Sequence, residues 1–106
     1  MKQGPLDNIE LEFLDLDPWV LGEEGKTYCP KGYKQIRDAK TCQNASNALS
    51  LTYDANQNDE GVNRTCNLCG GCNPATTRVD SKYGVKAKWI CQKSRYIKVF
   101  MNLDFK

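Results

Sequence analysis

Apolar and polar residues first fall into order at Ile9-Glu10-Leu11-Glu12-Phe13, where they alternate at period two, the pattern of a short half-buried strand. Leu14 and Leu16 shift the phase. Asp17-Pro18 ends the run, because proline donates no backbone hydrogen bond and restrains the residue before it. Trp19, Val20 and Leu21 follow as apolar residues outside a strand pattern, expected to plug onto the rest of the chain, with Gly22 to Gly25 as a linker. The best helix signal runs from Asp38 or Ala39 to about Leu51. Asp38 serves as N-cap, Ala39, Ala45 and Ala48 favour helix, and Cys42, Ala45 and Leu49 share one buried stripe at i, i+3 and i+7. Asn44 lies about 200° round from Cys42 and faces solvent.

Residues 52–65 are polar and rich in Asn and Asp, which predicts a long surface loop held at its ends. Cys66-Asn-Leu-Cys69-Gly-Gly-Cys72-Asn-Pro74 reads as a compact knot without regular structure. Val85, Ala87, Trp89 and Cys91 alternate with Lys86, Lys88 and Gln92, predicting a strand with one wet, basic face. Ile97, Val99, Met101, Leu103 and Phe105 repeat that alternation over residues 96–105. The acidic strand near the start and this basic strand near the end complement each other. Antiparallel pairing of residues 8–14 with 96–105 would bury both apolar rows, and the alternative is that each is an edge for another protein chain.

These elements amount to one α+β domain, with a helix over about 39–51 packed on a short antiparallel sheet, preceded by an arm. The chain has 106 residues, 40% of them hydrophobic and 26% charged, and no apolar run approaches the roughly 18–20 residues that span a bilayer. Residues 1–25 carry seven acidic side chains against Lys2 alone, a net −6, while residues 26–106 carry fourteen basic and six acidic, a net +8. The chain therefore divides into an acidic N-terminal arm (1–25) and a cysteine-rich domain (26–106). Basic residues are spread from Lys26 to Lys106 rather than clustered, so nucleic acid is not an expected partner.

Histidine is absent, which excludes Ser–His and Cys–His dyads, an imidazole base near neutral pH and histidine metal ligands. Glu23-Glu24 and Asp59-Glu60 are adjacent carboxylates of the kind that is ordinarily solvated. Tyr28, Tyr33, Tyr53, Tyr83 and Trp89 could form a stacking face, but aromatics in a small domain are mostly core. No catalytic residue is expected.

The six cysteines, Cys29, Cys42, Cys66, Cys69, Cys72 and Cys91, carry most of the remaining information. A domain this small gains little net stability from its apolar core, so a disulfide framework is the leading reading, with the pairing left open. The alternative is a metal centre, because Cys66-x2-Cys69-x2-Cys72 with Cys91 as fourth thiolate could hold an iron–sulfur cluster or zinc. Cys66-x2-Cys69 and Cys69-x2-Cys72 are also redox spacings. A working thiol–disulfide site usually opens a helix, however, and Gly70, Gly71 and Pro74 oppose one. Asn44-Ala-Ser46 and Asn63-Arg-Thr65 are glycosylation sequons in segments expected at the surface. Met1 is followed by Lys-Gln-Gly-Pro-Leu-Asp rather than by the basic and apolar stretches of a signal peptide, so either a leader lies upstream or has been removed, or the protein stays in a reducing compartment.

Four cysteines with their flanks carry a resemblance: Cys29-Pro-Lys-Gly-Tyr33 with Ile36, Thr41-Cys42-Gln-Asn-Ala-Ser-Asn-Ala-Leu49 leading to Leu51-Thr-Tyr53, Gly71-Cys72, and Ile90-Cys91-Gln-Lys93. Residues 28 to 93 resemble a small cysteine-rich module that recurs in secreted and surface proteins of algae and other marine protists. Cys66 and Cys69 are additional to that pattern, and Thr76-Thr77-Arg78-Val79 replaces its aromatic–Asn segment. The resemblance implies a helix tied by disulfides to a small sheet, an extracellular or lumenal setting and no catalytic residues.

The function expected is that of a non-catalytic structural or binding module without a cofactor. It would belong to a larger extracellular assembly or sit peripherally on a membrane complex in an oxidising lumen. Partners would be other protein chains, met through Trp19, Trp89, Phe100 and Phe105. A Cys-ligated metal or redox protein is the alternative, and a secreted effector, toxin or inhibitor the second alternative.

Overall fold

The computed structural model describes residues 17–94, and within them Asp38 starts the helix. Its extended backbone leaves the carboxylate free to accept from the Thr41 N–H at 2.8 Å, satisfying one of the unpaired donors of the first turn. Helix α1 (Ala39–Ala48) buries Cys42, Ala45 and Ser46 along one stripe. It ends at Ala48, three residues before the predicted end, because Ser50 just beyond the Leu49 cap has a φ of 61° that no right-handed helix continues. The Leu51 N–H reaches back to the Ser46 carbonyl at 2.8 Å and the Ser50 N–H to the Asn47 carbonyl at 3.1 Å. These two bonds form a Schellman cap with serine where glycine is usual.

The strands are β1 (Trp19–Leu21), β2 (Tyr33–Gln35), β3 (Thr65–Cys69), β4 (Thr77–Asp80) and β5 (Ala87–Lys93), with one 3-10 turn at Ala55–Gln57. They make a five-stranded antiparallel sheet in the order β1-β5-β3-β4, with β2 also paired to β5. Cys91 and Gln92 are register partners of both β1 and β2, so those two strands lie on opposite edges of β5. β3 takes up the remainder of the β2 edge, with Asn67 opposite Trp89 and Cys69 opposite Ala87.

Four local expectations change. Trp19–Leu21 is a strand, because the outer edge of β5 supplies its partners: Lys93 N–H donates to the Pro18 carbonyl and Gly22 N–H to the Trp89 carbonyl. The expected linker is tied down as well, through Gly25 N–H to the Ala87 carbonyl at 3.0 Å. The strand expected from Val85 begins at Ala87 instead, since Lys86 has φ 58° and Val85 is 72% exposed. The predicted knot is half strand: Thr65–Cys69 is buried between β4 and β5, where pairing on both edges overrides the weak intrinsic preference of Cys and Asn. Only Gly70-Gly71-Cys72 turns back. The strands predicted at 9–13 and 96–105, and their mutual pairing, lie outside the described residues.

Residues 52–59 are held along their middle as well as at their ends. Thr77 exchanges two bonds with this segment (Thr77 N–H to Thr52 O, 2.7 Å; Asp54 N–H to Thr77 O, 2.8 Å), and Val79 N–H donates to Asn58 Oδ1 at 2.8 Å. The loop thereby covers the outer edge of β4.

The apolar core is Ile36, Cys42, Ala45, Cys66, Val79 and Ile90, with Trp19, Leu21, Leu49, Leu51 and Tyr53 packed around it. Cys42–Cys66 fastens α1 to β3 across this core, and Cys29–Cys91 fastens the β1–β2 connection to β5. Their sequence separations are 24 and 62 residues, which by chain entropy correspond to about 3.5 and 4 kcal/mol. Cys69–Cys72, separated by three, corresponds to about 2 kcal/mol. All six cysteines are bridged.

Candidate functional site

Alternation along β3 sends Cys66 and Leu68 to the helix side and Thr65, Asn67 and Cys69 to the other. Because Asn67 is the register partner of both Arg78 and Trp89, these three side chains share the face opposite α1. Asp80 and Thr76 join them from β4 and its approach. Asn67 Nδ2 donates to Asp80 Oδ1 and to the Thr65 carbonyl, both at 2.8 Å. Arg78 Nη1 lies 3.7 Å from Asp80 Oδ2, and Nη2 donates to Thr76 Oγ1 at 2.8 Å. The residues are nearly or fully buried: Asn67 is 0% exposed, and Arg78, Asp80 and Trp89 are each 7% exposed.

Residues 81–86 cover this polar face. Tyr83 packs edge-on against Trp89 with ring centroids 5.8 Å apart, and its hydroxyl donates to the Asn63 carbonyl. Burial and the nearby Asp80 carboxylate push the Tyr83 phenol above its ordinary value, so it stays a donor. Asp59 locks the loop from the other side, accepting from Ser81 N–H and Ser81 Oγ at 3.0 Å each. Gly84 has to be glycine, because a Cβ there would stand 2.6 Å from Cys69 Sγ. Among the described residues, three buried side-chain polar atoms have no protein partner: Asn67 Oδ1, Arg78 Nε and Trp89 Nε1.

At one end of the face the chain turns through Gly70-Gly71 into Cys72, with Gly71 N–H bonded to the Val85 carbonyl at 2.8 Å and Cys72 N–H to the Cys69 carbonyl at 3.2 Å. Cys72 is half-buried and Arg78 Nη2 lies 3.9 Å from its Sγ. Both line a shallow groove of about 260 Å³ with Asp54, Gln57 and Thr76. A smaller groove of about 160 Å³ runs between Lys26, Tyr83, Lys86 and Trp89.

Of the residues singled out from sequence, Asn44 and Asn63 are exposed, Trp19 is half-buried, and Trp89 offers a partner only the 7% of its surface that lines the smaller groove. Phe100 and Phe105 lie outside the described residues. Cys66, Cys69, Cys72 and Cys91 do not converge: Cys66 and Cys91 are bridged to Cys42 and Cys29, and only Cys69 and Cys72 are joined to each other. Among the described residues no group of three or more Cys, Asp or Glu is placed to hold a metal ion. Sequence reasoning missed Arg78, Asp80 and Asn67. The period-two alternation of Thr65-Cys66-Asn67-Leu68 and of Thr77-Arg78-Val79-Asp80 was the available signal.

Comparison with protein-family models, curated proteins and solved structures finds no match to this chain. Among the described residues no helix is long and apolar enough to cross a membrane.

Proposed function

We propose that this domain is a structural or binding subunit of a larger extracellular or lumenal assembly, working by contact with other protein chains rather than by catalysis. The observation that carries the reading is how the scaffold is held: among the described residues the half-cystines Cys42 and Cys66 sit in the core cluster, and bridges spanning 24 and 62 residues tie the helix and the β1–β2 connection to the sheet. Such a scaffold persists where thiols stay oxidised, which favours secretion or an oxidising lumen. The two grooves on the polar face, about 260 and 160 Å³, fall below the roughly 300–1,000 Å³ common for small-molecule sites, which favours recognition by surface contact. The likeness of residues 28–93 to the cysteine-rich module of marine protists points the same way.

In that setting Asn44 and Asn63 are candidate glycan acceptors, and the fold limits when they can be used. Ser46 Oγ is buried between the Cys42 carbonyl and Thr77 Oγ1, at 2.7 Å from each, and Thr65 Oγ1 is buried against the Ile36 carbonyl. Both sequon hydroxyls are inaccessible once folded, so a glycan would be added before folding.

Cross-linking and native mass analysis of the chain from its own source test the reading. The expected result is a complex of fixed stoichiometry with other protein chains. A monomer with no companion, or turnover of a small-molecule substrate, would contradict it.

A further inference from the structure

The Cys69–Cys72 bridge differs from the other two in the features that govern reactivity. It joins residues three apart, so opening it frees no distant part of the chain, whereas Cys29–Cys91 and Cys42–Cys66 each hold one element to another. Its two half-cystines differ in exposure: Cys72 is half-buried and lines the 260 Å³ groove, while Cys69 is 2% exposed behind Gly84. A guanidinium stands beside the more exposed half-cystine, with Arg78 Nη2 at 3.9 Å from Cys72 Sγ and Arg78 Nε buried without a partner.

We propose that Cys69–Cys72 is a thiol-exchange site, whose co-reactant is a cysteine thiol or a small-molecule thiol. An incoming thiolate attacks Cys72 Sγ from the groove. The new bond is a mixed disulfide with Cys72, the Cys69–Cys72 bond breaks, and its electron pair leaves with Cys69, which takes up the proton the incoming thiol released. No oxidant is consumed, and attack by Cys69 on the mixed disulfide reverses the step.

Active dithiols commonly draw their positive field from a helix N-terminus. No helix begins here, and Arg78 supplies the charge from the neighbouring strand. Its field attracts the anionic attacker and stabilises a thiolate on Cys72 in the reduced form. Asp80, 3.7 Å from Arg78 Nη1, and Asp54, in the groove wall, oppose it, but neither is a hydrogen-bond partner of the Nε that remains unpaired. The displaced Cys69 sulfur has an acceptor ready, the Val85 carbonyl at 3.9 Å. This reactivity does not depend on the binding role proposed above.

The test incubates the full native chain with reduced glutathione without denaturant, quenches with acid and maps the products by mass spectrometry. One glutathionyl adduct on Cys72 is expected, with Cys29–Cys91 and Cys42–Cys66 intact. R78Q should slow adduct formation about ten-fold, the scale of a single charge contact, and R78K should restore most of the rate. Because R78Q can fail on folding alone, the wild-type chain carries a second readout. After selective reduction, alkylation of Cys72 by iodoacetamide should have its midpoint below the ordinary thiol value of about 8.5. An adduct on another cysteine, opening of all three bridges together, no adduct on the native chain, or a Cys72 midpoint at or above the ordinary value would each overturn the proposal.

Discussion

Asn67 joins two strands of the polar face by itself: it sits opposite both Arg78 and Trp89, and its amide donates to Asp80 Oδ1 and the Thr65 carbonyl. N67A would leave a buried carboxylate short of one donor, so urea melts should show a loss of about 1–3 kcal/mol. An unchanged midpoint would mean the amide contributes nothing there. Asp59 works by charge. Hydrogen bonds from the Ser81 and Gly61 N–H groups hold its carboxyl below its ordinary 3.8. A depressed carboxylate stabilises the fold fully above the unfolded-state value, and that stabilisation disappears as pH falls through the lower folded-state value. D59N should therefore be less stable than the native chain at neutral pH, with the difference closing in acid below about pH 4. Thermal melts over a pH series check this, and a difference constant with pH would count against it.

The helix end offers a test at the level of one element. Ser50 holds φ 61° at the position of the Schellman cap that glycine usually fills. S50G should stabilise the domain by about 0.5–1 kcal/mol, and a loss in chemical denaturation would show that the Ser50 side chain contributes more than its backbone costs. This helix was legible from sequence because its signals were local: Asp38 as cap, three alanines, and Cys42, Ala45 and Leu49 on one stripe. β5 was legible for the same reason, within two residues. β1 and β3 were not. Three residues such as Trp19–Leu21 are too few to display a period, and the Gly70-Gly71 pair masked the alternation of Thr65–Cys69 just before it. What makes these strands is long-range pairing with β5, which no local window contains. The polar face was hidden for a related reason. Arg78 and Asp80 are buried by pairing with β3 and by the 81–86 loop, neither of which a local window contains.

At the scale of the molecule, chain entropy ranks the three disulfides by the length of chain each closes, the long-span bridges above Cys69–Cys72. Removing Cys29–Cys91 as C29A/C91A should cost about 4 kcal/mol, against about 2 kcal/mol or less for C69A/C72A. Guanidinium melts of the two variants check that ranking, and equal losses would contradict it. The ranking also separates scaffold from chemistry, since the bridge that holds least of the fold is the one placed in a groove beside a cation.

The disulfide map of the native protein, read from non-reducing peptide digests together with intact mass before and after reduction, tests this bridged scaffold first. This fold requires a gain of about six mass units on reduction, one per freed sulfur, and three cross-linked pairs: Cys29 with Cys91, Cys42 with Cys66, and Cys69 with Cys72. Free thiols at Cys66, Cys69, Cys72 and Cys91 carrying stoichiometric iron or zinc, or any other pairing, would contradict it.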